Sequence, residues 1–185
     1  MKKYIYIILI IIIAIVLTLL YFNSQNNVYN LTSGDKNLKT YSANGISFNY
    51  TDNWEFINKT GKYSIVRLKD PTLNETDGKP GAVVEISKKA SEGIPLEKYY
   101  DEIKVGASGV PGYKQLSESK REIDNETAYE FSASGMDNSV EEQFKTVLFE
   151  KGGYIYMIAF GTRAPTYLAD KNREFDIILN SFKVQ

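Results

Sequence analysis

The longest uninterrupted apolar stretch of the chain lies at its N-terminus. Tyr4 to Phe22 include no charged side chain, and Lys2 and Lys3 precede them. A helix rises about 1.5 Å per residue, so a helix of this length spans roughly the 30 Å hydrocarbon core of a bilayer. The pattern therefore predicts one transmembrane anchor over residues 1–22, with the membrane contact at Tyr4 to Phe22.

The charges around this stretch predict its orientation. Cations precede the apolar run, and the next cation is Lys36. Positively charged flanks stay on the cytoplasmic side, so we expect a single-pass protein of the cell membrane with a cytoplasmic N-terminus and an extracellular C-terminal domain. A cleaved signal peptide is the alternative, although its apolar region is usually about 7–15 residues long. The segment from Phe22 to Asn26 also offers a poor small-x-small cleavage site.

A polar segment separates the apolar run from the rest of the chain. Residues 23–39 are rich in Ser, Asn, Gly and Asp and poor in apolar side chains, a composition typical of a linker. We therefore expect an N-terminal anchor at 1–22, a polar tether at 23–39 and one extracellular domain at 40–185.

Alternation of apolar and polar residues predicts strands in that domain. Ile46 to Tyr50 alternate, and the Asn44-Gly45 pair before them favours a tight hairpin turn. Further strands are predicted at 63–69, 82–87, 114–123, 127–133, 141–150 and 154–160. The last of these is apolar on both faces, which predicts a central strand covered on both sides.

Two segments repeat apolar residues at helical spacing. The first follows Pro95, and its apolar face comprises Leu96, Tyr99, Tyr100, Ile103 and Ala107. The second runs from Thr166 to Asn180, and its buried stripe comprises Leu168, Lys171 (by its stem), Phe175, Ile178 and Leu179. Strands joined by tight turns and interrupted by two helices predict the α+β class, with a mostly antiparallel β-sheet packed between α-helices and preceded by one transmembrane helix.

The amino-acid composition excludes several classes of functional site. The chain has 185 residues, with no Cys and no His. A disulfide framework, thiolate catalysis, serine–histidine triads and His-based zinc sites are therefore excluded. The 22 basic and 23 acidic residues nearly balance and form no basic stripe of the kind that binds nucleic acid. No motif indicates a cofactor, and none is expected.

Five Asn-x-Ser/Thr sequons occur in the chain, at Asn30, Asn49, Asn58, Asn74 and Asn125. Such sequons accept N-linked glycans when a domain is exported by an organism that glycosylates, such as an archaeon or a eukaryote. Asn and Thr also favour turns without any glycan. The five are candidate glycosylation sites, with turn chemistry as the alternative.

Oxygen-bearing side chains crowd the loop between residues 70 and 81. Asp70, Asn74, Glu75 and Asp77 are the type of ligand that calcium prefers. Their spacing does not match an EF-hand loop, because Gly78 and a closing Glu are not where that loop needs them. A solvated turn is the alternative to a cation site.

Two pairs of glutamates are the candidates for acid–base chemistry. Glu126 and Glu130 share one face of a predicted strand, where carboxylates usually meet solvent. Glu141 and Glu142 are consecutive in a strand, so their side chains point to opposite faces and cannot act as a pair. An enzyme using such residues is not the function that we expect.

Aromatic residues are the remaining candidates for a binding surface. Phe48, Tyr50 and Trp54 either line a pocket or form part of the sheet core. A second group either forms an exposed protein-contact patch or fills half-buried strand positions; it comprises Tyr99, Tyr100, Tyr113, Tyr154 and Tyr156.

Three motifs together resemble the PsbP-like family. They are the Gly45-Ile46-Ser47-Phe48-x-Tyr50-x-x-x-Trp54 segment, the hairpin ending in Gly152-Gly153-Tyr154-Ile155-Tyr156, and Phe175-Asp176-x-Ile178-Leu179-Asn180-Ser181-Phe182-Lys183. The resemblance extends from Thr40 to Gln185. This chain has Thr51 where the family usually has Pro before the Trp segment, which weakens the turn signal there and leaves the strand pattern intact.

The resemblance implies a fold more than an activity. It implies an α/β/α sandwich, an antiparallel sheet between helices. PsbP itself is a non-enzymatic extrinsic subunit of the photosynthetic oxygen-evolving complex, and a fold relative in nuclear transport binds a small GTPase. We therefore expect a non-catalytic binding or assembly domain with a protein partner at the cell surface. The alternative is a carboxylate- and tyrosine-based enzyme, or a domain that binds a small ligand or cation.

Overall fold

The computed structural model of the chain describes residues 32–33, 38–58, 61–73, 79–137, 140–163 and 168–185. The predicted membrane anchor at 1–22 lies outside these residues, as does most of the predicted tether. Among the residues that the structure does describe, no helix is both long enough and apolar enough to cross a membrane.

Eleven strands and two helices make up the described part of the chain. The strands of the first half are β1 (Thr32–Ser33), β2 (Leu38–Ala43), β3 (Ile46–Thr51), β4 (Glu55–Phe56), β5 (Ser64–Lys69) and β6 (Ala82–Ala90). Helix α1 (Leu96–Ala107) follows, then β7 (Lys114–Ile123), β8 (Glu126–Asp137), β9 (Val140–Lys151) and β10 (Tyr154–Thr162). The chain closes with helix α2 (Leu168–Ser181) and β11 (Lys183–Val184).

These strands form two sheets in which every described pairing is antiparallel. The larger sheet has seven strands in the order β4-β5-β6-β10-β9-β8-β7. The smaller has four, in the order β1-β2-β3-β11. The antiparallel, sheet-rich α+β fold predicted from the sequence is confirmed.

Strand β10 is central, as its apolar sequence predicts. It pairs with β6 on one side and β9 on the other, and its residues from Ile155 to Phe160 are buried. Ile155 and Met157 pack into one apolar cluster, whereas Tyr156 and Ile158 pack into another. The larger sheet therefore separates two cores.

Helix α1 covers one face of the larger sheet. Tyr99, Tyr100, Ile103 and Ala107 are buried along it, as their helical spacing predicts. They pack with residues of β8, β9 and β10 into the smaller of the two cores. The opposite face of the helix reaches solvent, where Val105 is 69 % exposed.

The other face of the larger sheet is covered by the smaller sheet together with α2. Phe48 of β3 and Phe175 of α2 both belong to this larger core. Phe182, between α2 and β11, joins the layers: its ring lies 6.3 Å from that of Phe48 and 5.7 Å from that of Phe149 in β9. One outer layer of the expected sandwich is thus a helix, and the other combines a helix with a sheet.

Two tight turns follow the local turn chemistry. Asn44 and Gly45 both have positive φ, at 56° and 74°, as a two-residue hairpin turn of the mirror-image type requires. Asp124 and Asn125 do the same at 51° and 65°, between β7 and β8. The first turn occurs where the Asn44-Gly45 pair predicts it, and the second lies between the strands predicted at 114–123 and 127–133.

Part of the segment that precedes residue 40 pairs with the domain. Strand β2 begins at Leu38, and Thr32 and Ser33 of β1 lie opposite Thr40 and Lys39. These short pairings lie within the segment that composition marks as a tether.

Candidate functional site

A cleft of about 300 Å³ opens between helix α2 and four strands of the larger sheet. Its walls are formed by Leu116, Ser117, Glu130, Ser132, Gln143, Phe144, Lys145, Phe160 and Asn172. It is an open groove, and its size is at the lower end of the range of ligand pockets.

Strand register builds the floor of the cleft. Ser117 lies opposite Ser132, Ser132 opposite Lys145, and Lys145 opposite Phe160. Directly opposed residues of an antiparallel sheet share one face, so four side chains from four strands form a single row. A register irregularity between Gln115 and Ser117 sets Leu116 outside this pattern at the sheet edge.

The charged side chains of the cleft are paired with one another. Glu130 lies 3.2 Å from Arg121 and 3.8 Å from Lys145, measured between carboxylate oxygens and side-chain nitrogens. Arg121 also contacts Asp176 of α2 at 2.9 Å and donates a hydrogen bond to Asn180. The network ties α2 to the sheet and leaves the carboxylate of Glu130 neutralised by two cations.

The groups that remain for recognition are neutral. The hydroxyl groups of Ser117 and Ser132 are 2.6 Å apart and hydrogen-bond to each other. Gln143 and Asn172 line the cleft with amides, and Phe160, whose ring stacks on Phe175, lies at its floor. The ring of Phe144 points to the opposite face of the sheet, where it packs against Tyr113 and Phe131. Amides and hydroxyls that both donate and accept suit a neutral polar ligand such as a peptide backbone.

The loop carboxylate Asp70 is part of a buried ion pair. It is 1 % exposed, its Oδ2 lies 2.5 Å from the ammonium of Lys171, and its Oδ1 accepts hydrogen bonds from Thr72. Burial raises the pKa of this carboxyl, but the hydrogen bonds from Lys171 and Thr72 lower it more, so the pKa lies below its ordinary value. Lys171 also contacts Glu174 at 2.8 Å.

The cation site that the same loop suggested has no support in the described residues. Asn74, Glu75 and Asp77 lie outside them, and Asp70 is directed at Lys171. Among the residues that the structure places, no group of three acidic side chains is arranged to hold a metal ion.

The other candidate carboxylates are separated from one another. Glu142 lies 3.2 Å from the buried Arg163, which also approaches Asp137 at 3.8 Å, whereas Glu141 is exposed. Glu130 is held in the cleft between two cations. Glu130 and Glu142 therefore each lie beside a cation.

The candidate aromatic residues occupy the core more than the surface. Phe48, Tyr50 and Trp54 are 1 %, 1 % and 2 % exposed and belong to the larger core, so the core interpretation is the one the structure supports. Of the proposed contact patch, Tyr99, Tyr100 and Tyr156 are buried, Tyr113 is half-buried and Tyr154 is 42 % exposed.

Three of the five sequon asparagines fall within the described chain. Asn49 lies in β3, where its side-chain oxygen accepts a hydrogen bond from Thr40. Asn58 is exposed, and Asn125 occupies the turn between β7 and β8. Asn30 and Asn74 lie outside the described residues.

Apart from Glu130, the cleft residues discussed above were not candidates in the sequence. Ser117, Ser132, Gln143 and Lys145 alternate with other residues along predicted strands, as any solvent-facing positions would. Asn172 lies one residue after Lys171, off the apolar stripe of α2. The sequence shows only that these residues lie on the polar faces of predicted elements. Such positions do not distinguish a cleft from an ordinary surface.

Several solved structures share this fold at low sequence identity. Cyanobacterial PsbP (CyanoP) from Synechocystis superposes with a TM-score of 0.58 at 16 % identity, covering 89 % of this chain and 99 % of its own. LpqN of Mycobacterium tuberculosis, described as involved in cell envelope biogenesis, gives 0.61 at 14 % identity, with 76 % and 83 % covered. The Ran-binding protein Mog1p of Saccharomyces cerevisiae gives 0.55 at 9 % identity, with 80 % and 95 % covered.

Sequence comparison is more specific than these superpositions. No curated protein matches the chain at a significant level. The family model described as PsbP-like protein matches residues 4–184. This match spans nearly the whole chain and agrees with the three motifs, the antiparallel sheet and the two helices: the chain belongs to the PsbP-like protein family.

Proposed function

We propose that this protein is a membrane-anchored, extracellular PsbP-like domain with a non-catalytic binding or assembly role. The cleft between α2 and strands β7–β10 is the surface on which it receives a protein partner. The partner inserts a neutral, polar segment that hydrogen-bonds to the hydroxyls and amides of the cleft.

The charge balance of the cleft is the observation that carries this proposal. Catalysis by carboxylates of the glycosidase type places two of them across a cleft from each other. Among the described residues that line this cleft, Glu130 is the one carboxylate, and it lies beside Arg121 and Lys145. A site of this kind holds its walls rigid and offers neutral donors and acceptors, which favours recognition over chemistry.

The structural relatives support the same class of function. Mog1p is a Ran-binding protein, and LpqN is described by a role in cell envelope biogenesis. One fold hosts many functions, so these roles support a binding domain and not a particular partner.

A small ligand is the second candidate, and the volume of the cleft favours it. About 300 Å³ is enough for a compact polar molecule. A cation site at Asp70 is less favoured, because that carboxylate is already paired with Lys171.

The location is tested by labelling a single cysteine. Because the chain has no Cys, Lys98→Cys on the exposed side of α1 creates one reactive thiol. We expect a membrane-impermeant maleimide to label the full-length variant in intact cells. Labelling only after the cells are permeabilised would place the domain in the cytoplasm and contradict the proposed location.

The binding role is tested by site-specific photo-crosslinking in the same cells. A photo-reactive residue at Gln143 or Asn172 lies in the cleft, and one at Lys98 is the control outside it. We expect one defined protein adduct from both cleft positions and not from Lys98. If the cleft positions crosslink no protein, and small polar metabolites instead stabilise the purified protein, the small-ligand alternative replaces this proposal.

A further inference from the structure

Strand β7 is a long edge strand. It forms the last position of the seven-stranded sheet, pairing with β8 on one side, and in the described part of the chain no strand pairs with its other side. An edge of this kind presents backbone N–H and C=O groups to a further strand.

The side chains of β7 are also uncovered. All residues from Lys114 to Lys120 are exposed, so neither α1 nor α2 buries this part of the strand. The strand is rich in charge, and charges on an edge strand usually block pairing with another chain. Which pairings they block depends on the register.

Symmetry limits the registers that two copies can use. A two-fold axis that joins two edges into one continuous antiparallel sheet is perpendicular to that sheet, so each face of one copy continues into the same face of the other. Directly opposed residues share a face, and side chains alternate between faces along a strand. One residue must therefore lie on the axis, opposite the same residue of the other copy. The possible registers differ only in which residue this is.

Like charges exclude the neighbouring registers. With Glu118 on the axis, the two copies place this carboxylate against itself; with Lys120 on the axis, two ammonium groups meet and Glu118 opposes Glu122. With Ser119 on the axis, Glu118 of each copy opposes Lys120 of the other. That register has two opposite-charge pairs and no like-charge pair among residues 117–121.

The groups involved are able to form these pairs. The side chain of Glu118 is 43 % exposed, and it is held in place by a 2.6 Å contact with Lys104 of α1. Lys120 lies over the ring of Tyr129 at 4.5 Å, on a flexible stem that can turn toward a neighbouring strand. On the other face Ser117 opposes Arg121, which keeps its contacts with Glu130 and Asp176.

We infer that β7 is a self-association edge. Two copies of the chain pair antiparallel through residues 117–121, with Ser119 opposite Ser119, and their larger sheets join into one. Confinement of both copies to one membrane raises their effective concentration and favours so short a pairing. This effect of confinement rests on the proposed anchoring, but the register of the pairing does not.

A cysteine scan tests the register in the full-length chain. Opposed residues on the axis have Cα atoms about 4.5–5.5 Å apart, within the range of a disulfide. Ser119→Cys should therefore form a disulfide-linked dimer under mild oxidation in native membranes. Ser117→Cys is the matched control, because four residues of about 3.4 Å separate it from its own copy. We expect at least about tenfold less dimer from it.

Charge reversal tests the pairing independently of the cysteine position. In the S119C background, E118K opposes Lys120 of the other copy, and K120E opposes Glu118; each should reduce the crosslinked fraction about tenfold. The double variant E118K/K120E restores opposite charges and should restore the dimer. E122K changes the net charge by the same amount as E118K but lies outside the paired residues 117–121, so it should leave the fraction unchanged.

The same measurements distinguish the other outcomes. Equal crosslinking at positions 117 and 119, no dimer at either, or failure of the double variant to recover would overturn the inferred edge. Circular dichroism of each purified variant checks that the fold is retained. If the domain proves to be cytoplasmic by maleimide labelling but S119C still crosslinks selectively, the edge stands and only the proposed location fails.

Discussion

At the scale of single residues, the structure shows which polar side chains contact each other. Asp70 and Lys171 are 101 positions apart in the chain, and their side chains meet in a buried ion pair beside Glu174 and Trp54. Hydrogen bonds to Asp70 and Glu174 raise the pKa of Lys171 above its ordinary value against the lowering effect of burial. The pair fastens α2 to the loop that follows β5.

Asp70→Asn should destabilise the protein by about 3 kcal/mol, because it leaves the buried ammonium with one fewer anion. The pKa of Asp70 is lowered on folding, so its contribution is complete above its unfolded value of about 3.9 and is lost as the pH falls through the folded value. The difference in unfolding free energy from the wild type should therefore be constant near neutral pH and shrink below about pH 4.

Denaturant titration followed by the fluorescence of Trp54, the one tryptophan of the chain, measures this difference. Asp52→Asn, at an exposed turn position, is the control and should change stability by less than about 0.5 kcal/mol. A D70N penalty that stays unchanged at pH 3 would contradict the assigned ion pair.

Two buried tyrosines provide a matched comparison. Tyr50 and Tyr100 are both 1 % exposed, but the hydroxyl of Tyr100 donates to the carbonyl of Glu130 at 3.1 Å, whereas that of Tyr50 has no hydrogen-bond partner in the described chain. Burial raises the pKa of Tyr50 to about 12. Tyr100→Phe should cost about 1 kcal/mol of stability, and Tyr50→Phe should be neutral or stabilising. Thermal unfolding of the two variants measures the two changes in stability. Equal losses of stability in Y50F and Y100F would contradict the expected difference.

At the scale of elements, helix α1 illustrates how periodicity alone predicts a buried face. Ile103 is 2 % exposed and packs against the larger sheet, while Val105, two residues later, is 69 % exposed. Ile103→Ala should lower the free energy of unfolding by about 2–4 kcal/mol through lost apolar burial and a cavity. Val105→Ala on the same helix should change it by less than about 0.5 kcal/mol.

Urea denaturation of both α1 variants measures the two effects. Similar losses in I103A and V105A would mean that the helix does not present the face seen in the structure. Helix propensity works in the opposite direction in both variants, because Ala is the better helix former, so it cannot produce the expected loss.

At the scale of the whole molecule, the ring of Phe182 packs against both sheets. Phe182 is 1 % exposed and lies within 6.3 Å, ring centre to ring centre, of Phe48, Phe149 and Tyr156. Phe48 belongs to the smaller sheet, and the other two belong to the larger. Packing near the end of the chain therefore helps to hold the small sheet to the large one, together with the contacts of Phe56 in β4 with Tyr41 and Tyr50.

Phe182→Ala should cost about 3–5 kcal/mol of unfolding free energy and lower the melting temperature in proportion. Val184→Ala, two residues later and only half-buried, is the control and should cost about 1 kcal/mol or less. Differential scanning calorimetry of the solubilised full-length protein distinguishes them. A loss of less than about 1 kcal/mol in F182A would show that the sheets are held together elsewhere.

The sequence by itself determined most of the local elements and the family, but not the two-residue strands β1, β4 and β11. Alternation, helical spacing and turn residues act between neighbours in the chain, so Ile46 to Tyr50, helix α1 and the Asn44-Gly45 turn were predictable. The predicted anchor and extracellular location also depend on the sequence alone, because residues 4–22 lie outside the described structure.

Only the tertiary structure decided which distant residues meet. The cleft floor needs Ser117, Ser132, Lys145 and Phe160 in one row, and that row depends on the register of four strands. A shift of one residue in any strand would turn its side chain to the opposite face. Register is set by the packing of both cores at once, and no local pattern along the chain encodes it.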